Sequence, residues 1–475
     1  MTPSDRSNYL AEDHNIGPRL GFAYTPHNGY VIRGGYGIYY EVGNTGANAS
    51  VFPGFQGYNQ VTPWLTSYQN DHATPYARFS NPFPNGGPQL PVGNTLGLLN
   101  EVGFGASAPV PSIDSPTPYE QTWTFGVEKE LPSAILLDVT YLGKKGTHLI
   151  FDEEINYDIL GSQVEHYNSA QIAALETLVP NPFYGVITNV SSSLSSATVP
   201  AWQLQLPYPQ FTGFSGDGAP WANSIYNALQ VKAEKRFSHG LSFLVTYVWS
   251  KSIDDSSVPA AQGEVGGIYS LQDPNNLRLE RGLSSFDIPN VLQLTYTYAL
   301  PIGRGQALGG KANSVLNAFI GGWHTNGIWR FNDGRPEALM LQGGESLPTY
   351  GPQRPNLTGT LTCASGSWNT RLTQYFSNPQ VAIVPPPFTI GTAARTDGSC
   401  RQPGQANANL SIFKDFPLSS LREGAHVEFR LETYNAFNHP QFQGPNQTVN
   451  SGSFGVITGQ ANSPRQAQAV LKVYW

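Results

Sequence analysis

From Leu241 to Ser250 apolar and polar residues alternate: Leu241, Phe243, Val245, Tyr247 and Trp249 are separated by Ser242, Thr246 and Ser250 among others. A period of two places each set on its own face of an extended strand, whereas a helix would scatter both around its axis. Asn290 to Leu300 repeats the pattern, with Leu292, Leu294, Tyr296, Tyr298 and Leu300 opposed by Gln293, Thr295 and Thr297. The same period marks strands at Arg19 to Thr25, Tyr30 to Tyr40, Tyr119 to Lys129, Ala134 to Tyr141, Ser224 to Phe237, Gly322 to Phe331, Asn407 to Lys414, Ala425 to Asn435 and Arg465 to Trp475. The fourth is expected to continue past Gly143 to Asp152. Alternation alone decides only that the chain is all-β, since a soluble sandwich uses such strands too.

The links decide more. Pro26-His27-Asn28-Gly29, Leu131-Pro132-Ser133 and Ser238-His239-Gly240 are short and carry turn residues, and Pro301 to Gly321 and Asp415 to Gly424 take the same alternate places at moderate length. Between them come Glu41 to Pro118, Asp152 to Asn223, Lys251 to Pro289, Asn332 to Ala406 and Ala436 to Pro464. Tight turns at one end and long loops at the other are the signature of an antiparallel transmembrane β-barrel, with short periplasmic turns and long extracellular loops. Inside one long link, Gln171 to Glu176 has the makings of a short helix. The last strand sets Ala467, Ala469, Leu471, Val473 and Trp475 on one face and stops on the aromatic, which resembles the terminal signal read by the barrel assembly machinery, carried by Leu471, Val473 and Trp475.

Composition agrees. Only 12% of residues are charged against roughly 25% in an average soluble protein, while aromatics reach 12%. A barrel fits this, with apolar side chains outside and uncharged polar ones inside. The net charge of −7 gives no basic footprint for nucleic acid. No apolar run of about 18 residues offers a transmembrane helix, which leaves transmembrane strands open. Met1 to Arg6 shows neither a basic nor an apolar leader. Counting back from a periplasmic C-terminus through about eleven strands starts the first one outside, so the chain is expected to be the C-terminal portion of a longer barrel protein.

Candidate chemistry is sparse. Cys363 and Cys400 lie in the same long link, either as a loop-stapling disulfide or as two free thiols. Asp254-Asp255 and Asp152-Glu153-Glu154 read as solvated loop acids rather than a calcium site, because no ligand spacing or anchoring glycine accompanies them. The nine histidines show no metal-binding spacing, and His324, next to Trp323, is expected to face the lumen. Gly34-Gly35-Tyr36-Gly37 lies within a strand and so is no phosphate cradle; its glycines let the wall bend or let an aromatic pack over them. No catalytic, cofactor or metal residues are assigned, and no enzyme activity is expected. Tyr39, Tyr40, Trp249, Tyr298, Trp323, Trp329 and Trp475 suit interfacial girdles. Trp64, Tyr68, Trp202, Trp221 and Tyr375 are loop aromatics suited either to capturing a substrate or to packing the loops, and they name no substrate.

Several segments together resemble the Oar-like TonB-dependent receptors, large outer-membrane transporters. They are Pro18-Arg19-Leu20-Gly21-Phe22-Ala23-Tyr24 with Val31 to Tyr40, Val179 to Gly185, Pro207 to Phe211, and Tyr226 to Val231 running through Lys235-Arg236-Phe237 to Trp249-Ser250-Lys251-Ser252. Asp273-Pro274, Arg281-Gly282, Phe286-Asp287, Leu300 to Gly305 and Gly321-Gly322-Trp323 extend the likeness, which runs from about Gly17 to Trp475. It implies a barrel of about 22 strands filled by an N-terminal plug and driven through a TonB-box peptide. Neither that plug, that peptide nor the family's regulatory-like module is recognisable in these residues. The expectation is therefore the later half of a receptor barrel in the outer membrane of a Gram-negative bacterium. Its partners would be membrane lipid, the assembly machinery, the TonB complex through the plug alone, and an unidentified extracellular substrate. The rival readings are a surface-anchored structural or adhesive barrel and a secreted soluble β-sandwich binding module.

Overall fold

The computed structural model describes residues 14–26, 29–40, 74, 78–83, 90, 102–103, 105–109, 116–151, 155–187, 192–217, 219–257, 271–343, 346–351, 353–418 and 422–475. Eleven strands form one continuous sheet: β1 (Arg19–Tyr24), β2 (Tyr30–Tyr40), β3 (Tyr119–Leu131), β4 (Ile135–Phe151), β5 (Ala219–Ser238), β6 (Leu241–Asp254), β7 (Asn290–Ala299), β8 (Trp323–Asn332), β9 (Gln405–Pro417), β10 (His426–Tyr434) and β11 (Gln466–Tyr474). Each pairs antiparallel with its neighbours in sequence, and the two-residue strand Gly282–Leu283 adds a partner to the end of β6. One unbroken meander is not two packed sheets, so the soluble sandwich does not hold. Among the described residues three α-helices lie in the links: α1 (Ser169–Glu176), α2 (Ser314–Ile320) and α3 (Trp368–Thr373). Among the described residues, no helix is long and apolar enough to cross a membrane, which says nothing of crossing by strands.

All eleven expected strands are present. Tertiary pairing lengthens several of them, because β4, β5 and β6 continue to bond one another beyond the alternating stretch, as far as Ala219 opposite Phe151. At about 3.4 Å per residue, the 17 residues of β4 reach ~58 Å, well past a hydrocarbon core of ~30 Å. The short links work as the turn chemistry demands. His239 and Gly240 both take positive φ, 52° and 78°, the geometry of a two-residue hairpin whose twist matches its strands.

Register sorts the side chains into two faces. One row across the sheet reads Phe22, Gly34, Phe125, Tyr141, Leu229 and Trp249, and another Thr325, Ile412, Leu431 and Ala469. The opposite face carries Arg33, Gly126, Thr140 and Gln230, then Asn326, Ser411, Glu432 and Gln468. Glycines on the apolar face sit under aromatics. A Cβ on Gly34 would lie 2.3 Å from the Phe22 ring, and one on Gly143 2.2 Å from the Trp123 indole. Tyr39 corrects one expectation. It faces the polar side opposite Glu120, with the Arg19 guanidinium 4.7 Å above its ring, while its neighbour Tyr40 takes the apolar side beside Tyr119. A period of two forbids both tyrosines from joining one girdle.

Among the described residues β1 and β11 do not pair with each other, so each leaves one edge free. The buried core lies in the long links at the other end of the sheet from the tight turns. We label these L1 (41–118), L2 (152–218), L3 (255–289), L4 (333–404) and L5 (435–465).

Candidate functional site

The long links are packed on one another rather than spread. Leu160, Val164, Ile172, Leu175 and Leu206 of L2 bury against Leu347 of L4, and Leu339, Leu361, Tyr375 and Phe376 of L4 bury with Ile457 of L5. In L2, α1 starts on a capping box: Asn168 Oδ1 accepts from Gln171 N at 3.0 Å, and Gln171 Oε1 accepts from Asn168 N at 3.0 Å. That cap, with Ile172 and Leu175 turned inward, lets a short helix hold its place. Cys363 and Cys400, joined by a disulfide with Cα atoms 5.1 Å apart, tie L4 to itself across 37 residues.

Polar anchors join L3 to L4. Arg354 pairs with Glu280, and both side chains are almost fully buried, 1% and 3% exposed. Arg395 pairs with Asp254 and also donates from Nε to the Glu280 carbonyl oxygen at 2.8 Å. Arg401 donates to Asp287 Oδ2 at 2.6 Å and to the carbonyl oxygens of Asp287 and Gly334. Between these pairs the buried Gln272 amide bridges two backbones, accepting from Arg354 N at 2.6 Å and Gly391 N at 3.1 Å while donating to the Gly391 carbonyl oxygen at 2.9 Å. Tyr350 of L4 ties three loops: its hydroxyl donates to Glu165 of L2 at 2.9 Å and accepts from Asn275 of L3 at 2.6 Å. Burial and the neighbouring Glu165 carboxylate raise the Tyr350 hydroxyl above its ordinary range. Glu337, fully buried in L4, accepts from Gln447 of L5 at 2.7 Å. Burial, with Asp397 nearby, pushes its carboxyl well above the usual range.

A groove of about 400 Å³ opens on the polar face at the long-loop end of β8 to β11. Arg330, Gln405, Asn407 and Gln466 project from strand positions, and Asn462 and Ser463 close it from L5. Asn409 Oδ1 accepts from Asn435 N at 3.0 Å and Asn407 Nδ2 at 3.2 Å, which fixes part of this carboxamide surface. Arg330 is exposed and, among the described residues, makes no ion pair. Carboxamides both donate and accept, so the groove meets polar solutes of either hydrogen-bonding sense and adds one positive charge.

The pattern of the outer membrane beta barrel domain family matches residues 2–468. The chain belongs to that family. Among solved structures it is similar to the outer membrane transporter YddB from Escherichia coli, at 9% identity and a TM-score of 0.41, over 94% of this chain and 39% of that one. It is also similar to the ferric-catecholate import receptor Fiu from E. coli K12, at 8% identity and a TM-score of 0.38, over 96% of this chain and 34% of that one. The ferric citrate transporter FecA gives 9% identity and a TM-score of 0.36, over 96% and 37%. The chain thus spans less than two-fifths of the length of these transporters. No curated protein matches it.

In an outer-membrane barrel the apolar face meets lipid and the polar face the lumen, which gives each sequence-derived residue a setting. Trp249, Tyr298, Trp323 and Trp329 take the lipid face, and His324 takes the luminal one, stacked on Phe413 at 5.2 Å. Leu471, Val473 and Trp475 are exposed, the first two on the lipid face. Asp254 and Asp255 are not solvated loop acids: Asp254 is buried against Arg395, and Asp255 accepts from Arg281 at 3.0 Å and from Asn223 N at 3.0 Å. Their charges are answered by arginines, with no call for a cation. Tyr375 is no capture residue, since it is 2% exposed and donates to the Arg401 carbonyl oxygen at 2.7 Å. Trp202 is half-buried against the L2 cluster, whereas Trp221 stands exposed with Tyr157 edge-on at 5.9 Å. Trp64, Tyr68 and Asp152-Glu153-Glu154 lie outside the described residues. Sequence reasoning missed Glu280, Arg354 and Arg395. The available signal was the scarcity of charge, because a charged residue inside a loop of such a chain is a candidate anchor.

Proposed function

We propose that these residues form part of the wall and loop cap of a TonB-dependent receptor of the Oar-like kind, which takes up an unidentified solute across the outer membrane. The observation that carries this reading is the pairing of a polar, amide-lined groove on the luminal face at the long-loop end of the strands with loops at that same end locked by buried ion pairs. A barrel serving only as an anchor needs neither. A receptor needs a shaped outer surface to select its solute and polar contacts inside to pass it on. The free edges of β1 and β11 support a larger wall, because unpaired backbone groups are costly in hydrocarbon and only a closed barrel satisfies them. The completing strands, a plug and the TonB-contacting peptide are proposed to precede these residues in the same polypeptide. The assembly machinery is proposed to read Leu471, Val473 and Trp475.

The test is the coding sequence upstream of residue 1 together with the full gene product. A plug domain and a short TonB-binding peptide should be encoded there, and the full-length protein should co-purify with the periplasmic domain of TonB. A secretion signal directly ahead of residue 1, with no plug between, would defeat the receptor reading and leave an anchored barrel.

A further inference from the structure

The link from β7 to β8 is built unlike the other short turns. Residues 300–322 hold α2, whose Asn313 cap accepts from Leu316 N at 2.8 Å, and whose Val315, Leu316 and Phe319 fall on one side of the helix. These side chains are 72%, 48% and 73% exposed, and Leu308 in the preceding turn is 60% exposed. The placement is fixed by two bonds at the helix C-terminus. Trp323 Nε1 donates to the Phe319 carbonyl oxygen at 2.8 Å, and Lys414 Nζ donates to the Ala318 carbonyl oxygen at 2.6 Å. Trp323 and Lys414 are register partners on the lipid face, so α2 is docked against the outside of the wall and not in the lumen. The only charged residues in 300–322 are Arg304 and Lys311, both exposed and both basic.

We propose that α2 and its turn are a lipid-binding foot, lying in the periplasmic leaflet of the outer membrane with Val315, Leu316 and Phe319 among the acyl chains and Arg304 and Lys311 among the phosphates. The occupant follows from continuity: the apolar face of the foot extends the lipid-facing band of β8 and β9 at the height of its tight-turn end. Basic charge with exposed apolar side chains on one helix face is what an interfacial helix requires. Lys129 also stands on the lipid face at the same end, 3.6 Å over the Tyr30 ring, which adds a basic side chain along this rim.

The experiment replaces Phe319 or, as the reference, the wall residue Phe243 with p-benzoyl-phenylalanine in the full gene product and irradiates isolated outer membranes. Position 319 is exposed, so the larger ring leaves folding intact. Phospholipid adducts at 319, within about twofold of the yield at 243, are expected for a residue immersed at the interface. A protein adduct at 319 would overturn the proposal in favour of a periplasmic partner. Labelling at 243 with no adduct at 319 would overturn it in favour of a helix standing in water.

Discussion

Arg354 and Glu280 show how a chain with little charge uses the charge it has. Both side chains leave water almost completely, and the cost is offset in part because Arg354 also donates from Nη1 to the Leu279 carbonyl oxygen at 3.2 Å, although its buried Nε finds no partner. Removing one partner strands the other. Arg354→Met is therefore expected to cost ~3–5 kcal/mol in the loop layer, read as lost hydrogen-exchange protection in L3 and L4 with the strands unaffected. The double variant with Glu280→Leu should recover much of that loss, and equal losses in the single and double variants would show that the pair is not the anchor. Gly391 is a sterically separate case. A Cβ there would lie 1.8 Å from the Arg354 carbonyl oxygen, so Gly391→Ala forces backbone apart and is expected to cost about 1–3 kcal/mol in the same exchange measurement.

At the scale of elements, the strands were legible and the cap was not, for one physical reason. A strand between water or lumen and an apolar phase writes its burial every second residue, so Leu292 to Tyr298 announces itself locally. A loop core writes nothing local: Arg354 finds Glu280 across 74 positions, and Arg395 finds Asp254 across 141. That is why Asp254 read as solvated and Tyr375 as a capture residue, although the turn residues His239 and Gly240 were plain. The contact of L4 with L5 carries its own test through Glu337. Its folded carboxyl binds a proton more tightly than the ordinary value of 4.5, so the folded state holds more protons than the unfolded one above that pH. The stabilisation from this group is greatest below pH 4.5 and is lost as pH rises through the raised folded value. Protease nicking of L4 should be slower at acid than at alkaline pH, and Glu337→Gln should flatten that difference. A profile that is unchanged in the variant would assign the pH dependence to another group. Reducing the disulfide should also loosen L4, by about 3–4 kcal/mol on the loop-entropy account, seen as faster nicking under reductant.

For the whole molecule the decisive quantity is the sheet's two edges. Ten strand-to-strand ladders hold the wall together, yet β1 and β11 each present a row of backbone groups with no strand beside them among the described residues. In water such edges are tolerable when solvated; in hydrocarbon each orphaned group costs several kcal/mol, and nine residues of β11 carry many. Bending eleven strands until β11 meets β1 would also mismatch the ends, since β1 has six residues and β11 nine, and both strands would then have to run in the same direction, with an odd strand count. The completing strands proposed above would remove both problems at once. These 475 residues produced alone are accordingly expected to fail as a heat-modifiable monomer, migrating identically on a gel with and without boiling, while the full gene product shifts. A boiling-sensitive, compact monomer made from these residues alone would show that the wall closes on itself. Deleting Trp475 from the full product supplies the matching measurement on assembly. Its exposed ring ends the strand that must find the first strand of the completed barrel, so its loss should lower the amount of heat-modifiable protein in the outer membrane without changing synthesis.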